Sequence, residues 1–362
     1  MYTRFGDNDI VTRTAAELVT STWSNNTNNL QVAYTSSDQA IFTTPTSSGH
    51  FYINVLNEQS QSTSTEVQYA VSFGNRLGSG SPDFTNDTGS FGLGASRVIY
   101  NQYRQLHYND DTQFFKFGQH TPDSIYVINV NRSRYKQRLT LGSLNLTLSG
   151  STLGHTATQT EIHLTDDSVT NGLAGHSTNN GGVLGPFYNI VSGSNGVLSG
   201  SVTNQVTVGS LTSTYGKFYP EAGLIILNAE VFAGALIPET NPGTTDNTDK
   251  NHVKFLHHIC AHGNEFLLDH TGSFIVDTTE EINSQFYFCR ARNDQMNYTN
   301  NESFVDSSRN IRIDSMRLNP KVFITTVGLY SDGFECLAVA KLSQPVAKDF
   351  TKEALIRVKL DY

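Results

Sequence analysis

The 362-residue chain is poor in charge: Asp, Glu, Lys and Arg make up 16% of it, against about a quarter in an ordinary globular protein. Tryptophan occurs once, methionine three times and proline nine times. The three cysteines, Cys260, Cys289 and Cys336, are odd in number and far apart. That spacing argues against a disulfide framework and for assembly in a reducing cytoplasm. No apolar run approaches eighteen residues, so no membrane-spanning helix is expected. The opening MYTRFGDND has no apolar core, so no signal peptide is expected either. The net charge of −9 argues against a protein that coats nucleic acid, which needs a basic face to displace counterions.

Chemical signatures are equally scarce. Lys217 follows Gly216 but precedes Phe218, and no Gly-rich phosphate cradle comes before it. The run FGLGAS at 91–96 lacks the third glycine of a dinucleotide fingerprint. Asp110-Asp111, Asp166-Asp167 and Glu280-Glu281 are adjacent carboxylates, which on a strand face opposite sides and form no acid/base pair by themselves. Arg132, Arg134, Lys136 and Arg138 could meet a phosphate, although a solvated face is the commoner use of such a run. One constellation suggests a metal: His252, His257, His258, Cys260, His262 and His270. On a helix, His258 and His262 would share a face. Without HExxH or CxxC the packed-histidine reading prevails. No catalytic, cofactor-binding or metal residue is expected, and the chain is expected not to be an enzyme.

What the chain does have is Asn, Ser, Thr, Gly and short β-branched or aromatic runs. Hydrophobic residues are 37%, enough to bury a core. Runs at 51–56 (FYINVL), 67–73 (VQYAVSF) and 125–130 (IYVINV) read as strands. Residues 97–106 read as a helix capped by Ser96, and 251–262 as a second helix ended by Gly263. Ile10, Thr14 and Leu18 recur at helical spacing within 8–24. From Leu139 to Gly216 there is no Lys or Arg. The expected organisation is an N-terminal arm or helix over 1–45, a β core from 46–138 and 217–362, and an inserted Gly/Ser/Thr/Asn-rich β subdomain over 139–216. The expected fold is mainly β: antiparallel sheets or a sandwich with a few short helices.

The end of the chain is the most regular part. Val322 to Tyr330 and Cys336 to Leu342 are apolar runs around an Asp332-Gly333 turn, with Gln344-Pro345 expected to stop the pairing. Ile356, Val358, Leu360 and Tyr362 alternate with Arg357, Lys359 and Asp361, the pattern of a half-buried strand. The pieces at 319–330 (NPKVFITTVGLY), 337–345 (LAVAKLSQP) and 352–362 (KEALIRVKLDY) resemble the C-terminal segment of virion structural proteins from large contractile-tailed bacteriophages, including marine cyanophages. Shorter pieces at 68–80, 99–105, 218–228 and 288–301 are similar too. The resemblance implies a structural virion component of the tail or baseplate that binds other virion proteins and copies of itself. It implies a location in the virion and brings no catalytic residues; hydropathy and net charge, as above, argue against membrane insertion and direct contact with nucleic acid. Alternatives are a capsid decoration, neck or fibre-attachment protein, or a receptor- or glycan-binding module.

Overall fold

A strand forms where a β-branched or aromatic run finds a hydrogen-bonding neighbour, and most of this chain does so. The structure, a computed structural model, describes residues 3–6, 8–35, 52–59, 62–80, 94–149, 151–152, 161–171, 183–199, 206–233, 236–238, 251–262, 272–297 and 302–361. In chain order its principal elements are β1 (Ile10–Ser21), β2 (Asn29–Leu30), β3 (Val32–Thr35), β4 (Tyr52–Leu56), β5 (Val67–Asn75), α1 (Ala95–Tyr108), β6 (Ser124–Val130), β7 (Asn145–Ser149), β8 (Glu161–Asp166), β9 (Tyr188–Ser194), β10 (Gly216–Tyr219), β11 (Leu224–Asn228), α2 (Asn251–Ile259), β12 (Ser273–Ile275), β13 (Asp277–Ala291), β14 (Val322–Tyr330), β15 (Cys336–Lys348) and β16 (Ala354–Asp361). The chain divides into two units, residues 18–280 and residues 1–17 with 281–362. The fold is mainly β with antiparallel sheets and short helices, as the composition predicts.

The larger unit is built on one sheet with the order β3-β4-β5-β6-β11-β10-β9-β8-β7-β12-β2. Its two ends, β2 and β3, are joined through Gln31 alone, so the sheet nearly closes on itself. Alternation then sorts the side chains. Tyr69, Val71 and Phe73 of β5, Tyr126, Ile128 and Val130 of β6, and Ile225 and Leu227 of β11 fill one buried cluster. An eleven-stranded sheet encloses more space than its own side chains fill. Val253, Phe255, Leu256 and Ile259 of α2 join that cluster, with Phe255 stacked on Tyr126 at 4.4 Å between ring centroids. The opposite faces of β6, β10 and β11 (Ile125, Val127, Tyr219, Leu224 and Ile226) pack in a second cluster with Ile99, Tyr100 and Tyr103 of α1.

Gly216 marks how closely the central strands approach. A Cβ there would stand 2.4 Å from the Ile226 carbonyl oxygen and 2.7 Å from Leu227 Cδ2. Backbone cannot yield as a flexible side chain does, so Gly216→Ala is expected to cost about 2–4 kcal/mol. Thermal unfolding followed by circular dichroism checks it; an unchanged melting temperature refutes the packing argument.

Several expectations are corrected. Residues 10–21 form a strand, not a helix: Ile10, Thr14 and Leu18 also fit a period of two, and Val11, Thr12, Val19 and Thr20 add β-branched bulk that favours β13 as a neighbour. Segment 139–216 is not a separate subdomain. Its strands β7, β8 and β9 hydrogen-bond to one another and to β10 and β12, inside the main sheet. Residues 281–362 are not part of the main core and fall with 1–17 instead. α1 begins one residue before Ser96 with Gly94 at the cap, and the Ser96 hydroxyl donates to the Ser79 carbonyl at 2.9 Å. α2 ends at Ile259; the Gly263 expected to stop it lies outside the described residues, as do His270 and the side chain of His262.

Candidate functional site

The smaller unit has strands but almost no interior. Neither apolar cluster contains any of its residues. Among the described residues it contributes five buried hydrophobics (Ala291, Phe304, Leu329, Ala354 and Val358) and thirteen of the twenty-five exposed large ones. A domain of this size normally buries most of its large apolar side chains. Its charge is distinctive as well. It holds thirteen Lys or Arg and thirteen Asp or Glu, so the whole net charge of −9 resides in the other unit.

Two substructures make up this unit. In the first, β13 lies between β1 and β16. Eight registered pairs, from Ser284 with Asp361 to Ala291 with Ala354, hold β16 to β13, and the Ser284 hydroxyl donates to the Asp361 carboxylate at 2.7 Å. The C-terminal alternation appears as expected: Val358 is buried and Ile356 and Leu360 half-buried, while Arg357, Lys359 and Asp361 are exposed.

In the second, β14 and β15 pair, among the described residues, only with each other, as a two-stranded ribbon. Such ribbons are marginal in water unless a face is covered. The ribbon's base is fixed by Lys348, whose buried ammonium donates to Asn297 Oδ1 at 2.6 Å and to the carbonyls of Asn293 and Gln295. Pro345 does not end the strand. Ile324 pairs with Val346 and Thr326 with Lys341, so 342–345 loop out opposite Thr325 and the missing proline N–H falls inside that irregularity. The turn also differs from a two-residue Asp-Gly turn. It runs from Ser331 to Glu335, and the left-handed residue is Phe334 (φ 62°), not Gly333. A bulky residue held in that region is strained, and such strain gathers at functional surfaces.

The ribbon's faces are unequal. On one, Leu329 is buried and Ala338, Ala340 and Leu342 are half-covered. On the other, Leu337 is 66% and Val339 64% exposed, with Tyr330 beside them and Phe334 at the tip 67% exposed. Gly328 is what lets Tyr330 lie down on this face: a Cβ there would be 2.8 Å from the ring. Large aliphatics outside and alanines inside reverse the usual order, and covering each aliphatic is worth roughly 1.5–3 kcal/mol.

Among the described residues, those singled out in the sequence do not assemble into a chemical site. His252 is buried in α2, and His258 Nδ1 bonds the Ser149 carbonyl. The Cys260 sulfur is 3.2 Å from the Tyr69 hydroxyl, and burial pushes the thiol up to about 12. Among the described residues no group of three His, Cys, Asp or Glu side chains is placed to hold a metal. The basic run is spent internally. Arg132 donates to the carbonyls of Tyr135 and Lys136, Arg134 pairs with Glu66 at 2.7 Å, and Lys136 pairs with Glu280 at 2.5 Å. Asp166 accepts from the Gly142 N–H and Ser168, Asp167 from Asn189, so the two carboxylates have separate partners.

One group escaped sequence reasoning. Lys217 of β10 is buried against the ring of Phe187, 3.6 Å from its centroid, and desolvation lowers it to about 7 while Asp167 opposes the shift. Beside it, His107 Nδ1 lies 2.5 Å from the Tyr219 hydroxyl, and burial followed by the Lys217 charge holds the imidazole down to about 3. The available signal was a lysine closing a long stretch without basic residues and followed at once by Phe218 and Tyr219.

No helix among the described residues is long and apolar enough to cross a membrane. No protein-family model, no curated protein and no solved structure matches the chain.

Proposed function

We propose that this chain is a structural component of the virion of a contractile-tailed bacteriophage. It works by binding neighbouring subunits, and the tail or baseplate is its place in the particle. The observation that carries the reading is the smaller unit, a neutral β structure with its large apolar side chains turned outward. A surface of that kind is stable when another protein covers it. The resemblance of 319–330, 337–345 and 352–362 to phage virion proteins falls in the same unit and supplies the kind of assembly. The larger unit, with its own core, serves as the body that presents this surface.

The test is incorporation. In particles assembled with a chain carrying both Leu337→Asp and Val339→Asp, the amount of this protein is expected to fall by about tenfold or more, since truncating buried anchors removes most of an interface's energy. The purified variant is expected to melt where the wild type does, because both positions are exposed. Normal incorporation of the variant sinks the reading. A cryo-EM map of the particle locates the chain; density on the capsid surface alone would move it out of the tail and leave the structural role standing.

A further inference from the structure

The outer face of the main sheet carries a polar cleft. Ile53 and Val55 of β4, Val71 of β5 and Ile128 of β6 point into the core, so the residues beside them in sequence point the other way. Register brings these together. Asn54 lies beside Ala70 and Ala70 beside Asn129, while in the next row Tyr52 lies beside Ser72. The small Ala70 leaves a trough between two amides that stand about 10 Å apart, two strand spacings. α1 lines the trough with Gln102 and Tyr103, whose hydroxyl faces Ser72 and Asn129. The cleft has a volume of about 780 Å³, within the range of ligand sites, and lies wholly in the larger unit. Its polar groups are open to solvent. β6 is central to the sheet and six of its seven residues are buried; Asn129 is the exposed exception. Tyr52 is 40% exposed. Gln102 and Glu221 also line the cleft and are exposed, and neither side chain has a hydrogen-bond or ion-pair partner among the described residues.

We propose that this cleft binds a neutral saccharide. Sugar hydroxyls donate and accept at once, which suits the amides of Asn54, Gln102 and Asn129, and the Glu221 carboxylate adds an acceptor. The apolar C–H face of a sugar ring suits the exposed ring of Tyr52. An anion fits poorly. Among the described residues the one cation lining the cleft is Arg132, and its guanidinium is occupied by the carbonyls of Tyr135 and Lys136. A peptide added as a strand fits poorly as well, because β5 and β6, which floor the cleft, are each paired on both sides. The inference gives the larger unit a ligand of its own and does not depend on the subunit-binding role proposed above.

The experiment is saturation-transfer NMR on the full-length chain. The probes are neutral gluco-, manno-, galacto- and rhamno-oligosaccharides, with oligogalacturonates as acidic counterparts. At least one neutral probe is expected to bind with Kd of about 0.1–1 mM, the range for a small ligand in an open cleft. Its binding is expected to be unchanged between low and high salt, since no charge is paired. Tyr52→Ala and Asn129→Ala are each expected to weaken it about tenfold, and Gln102→Ala about threefold. Tyr52→Phe keeps the ring and is expected to bind close to wild type. All four positions of change are exposed on formed elements, so the variants are expected to melt with the wild type; Gln102→Ala, on the solvent side of a helix, disturbs the fold least. Silence of every neutral probe at 10 mM, or binding of the oligogalacturonates alone, would overturn the proposal. So would neutral binding that all of these alanine variants retain, because the sugar would then sit elsewhere.

Discussion

Trp23→Ala is expected to remove about 3–5 kcal/mol from the stability of the larger unit, the range for deleting a large buried aromatic. The only tryptophan sits where the main sheet fails to close by ladder hydrogen bonds. β2 and β3 are consecutive but do not pair with each other; β2 ends the sheet, and the outer side of β3 takes only a short parallel pairing with residues 261–262. Trp23 spans that seam. Its ring lies 4.9 Å from Phe274 of β12 on one side and 5.7 Å from Tyr69 of β5 on the other, and Phe274 and Tyr69 are themselves edge to face at 5.4 Å. The indole N–H donates to the Phe274 carbonyl at 3.0 Å. Alanine opens a cavity and removes that buried hydrogen bond, two penalties that add. For a unit of this size the melting temperature should drop by roughly 10 °C or more. Trp23→Phe keeps most of the ring contact and loses the donor, so about 1–3 kcal/mol is expected. Circular dichroism is the readout, since the substitution also removes the indole fluorophore. A loss under about 1 kcal/mol for Trp23→Ala would show that the seam is held by something else.

That seam was not visible in the sequence, while the strands beside it were. Val67, Val71, Ile125, Val127, Ile128 and the LIIL run of β11 declare themselves through β-branched density, a local property. Closure depends on which strands meet across more than a hundred residues, and no local pattern encodes that. The N-terminal strand was ambiguous for a definite reason: positions 10, 14 and 18 are four apart, which satisfies a helical face and an alternating one alike. The change of composition over the segment without Lys or Arg marks it as an insert in the sequence alone. The structure gives the reason for the change. Asn145, Leu146, Thr147 and Leu148 of β7 are all buried, so both faces are covered and even the polar positions must be uncharged.

The ribbon shows a subtler limit. Alternation at 337–342 reveals two faces but not which is covered, and size would assign Leu337 and Val339 to the inside. The chain does the opposite: the alanine face is the covered one.

The second large effect concerns Lys217. Between pH 7 and about 8.5 the wild-type protein is expected to gain about 2 kcal/mol of stability, and Lys217→Met is expected to abolish that slope. The folded state holds this lysine at about 7, against about 10.5 in the unfolded chain. Between those values the unfolded state binds more protons, so stability rises with pH, and it falls as pH drops toward 7. Other groups frame the window. His107, held to about 3, gives a rise between about pH 3 and 6.5, already complete at 7. The raised Cys260 and Tyr69 act the opposite way, releasing protons more readily when unfolded, but only above about pH 8.5. Two neighbours favour the charged form: Asp167, and the Phe187 ring face at 3.6 Å. They narrow the window without changing its sign. Methionine fills the same volume without a charge to desolvate, so at pH 7 the variant should be roughly 2–4 kcal/mol more stable than wild type. Asp167 keeps its two hydrogen bonds from Asn189 and is not left bare. Urea unfolding at several pH values is the measurement, because guanidinium would screen the charges in question. A flat wild-type profile together with a destabilised variant would mean that Phe187 and Asp167 fully satisfy the ammonium, and that this buried charge stabilises the fold.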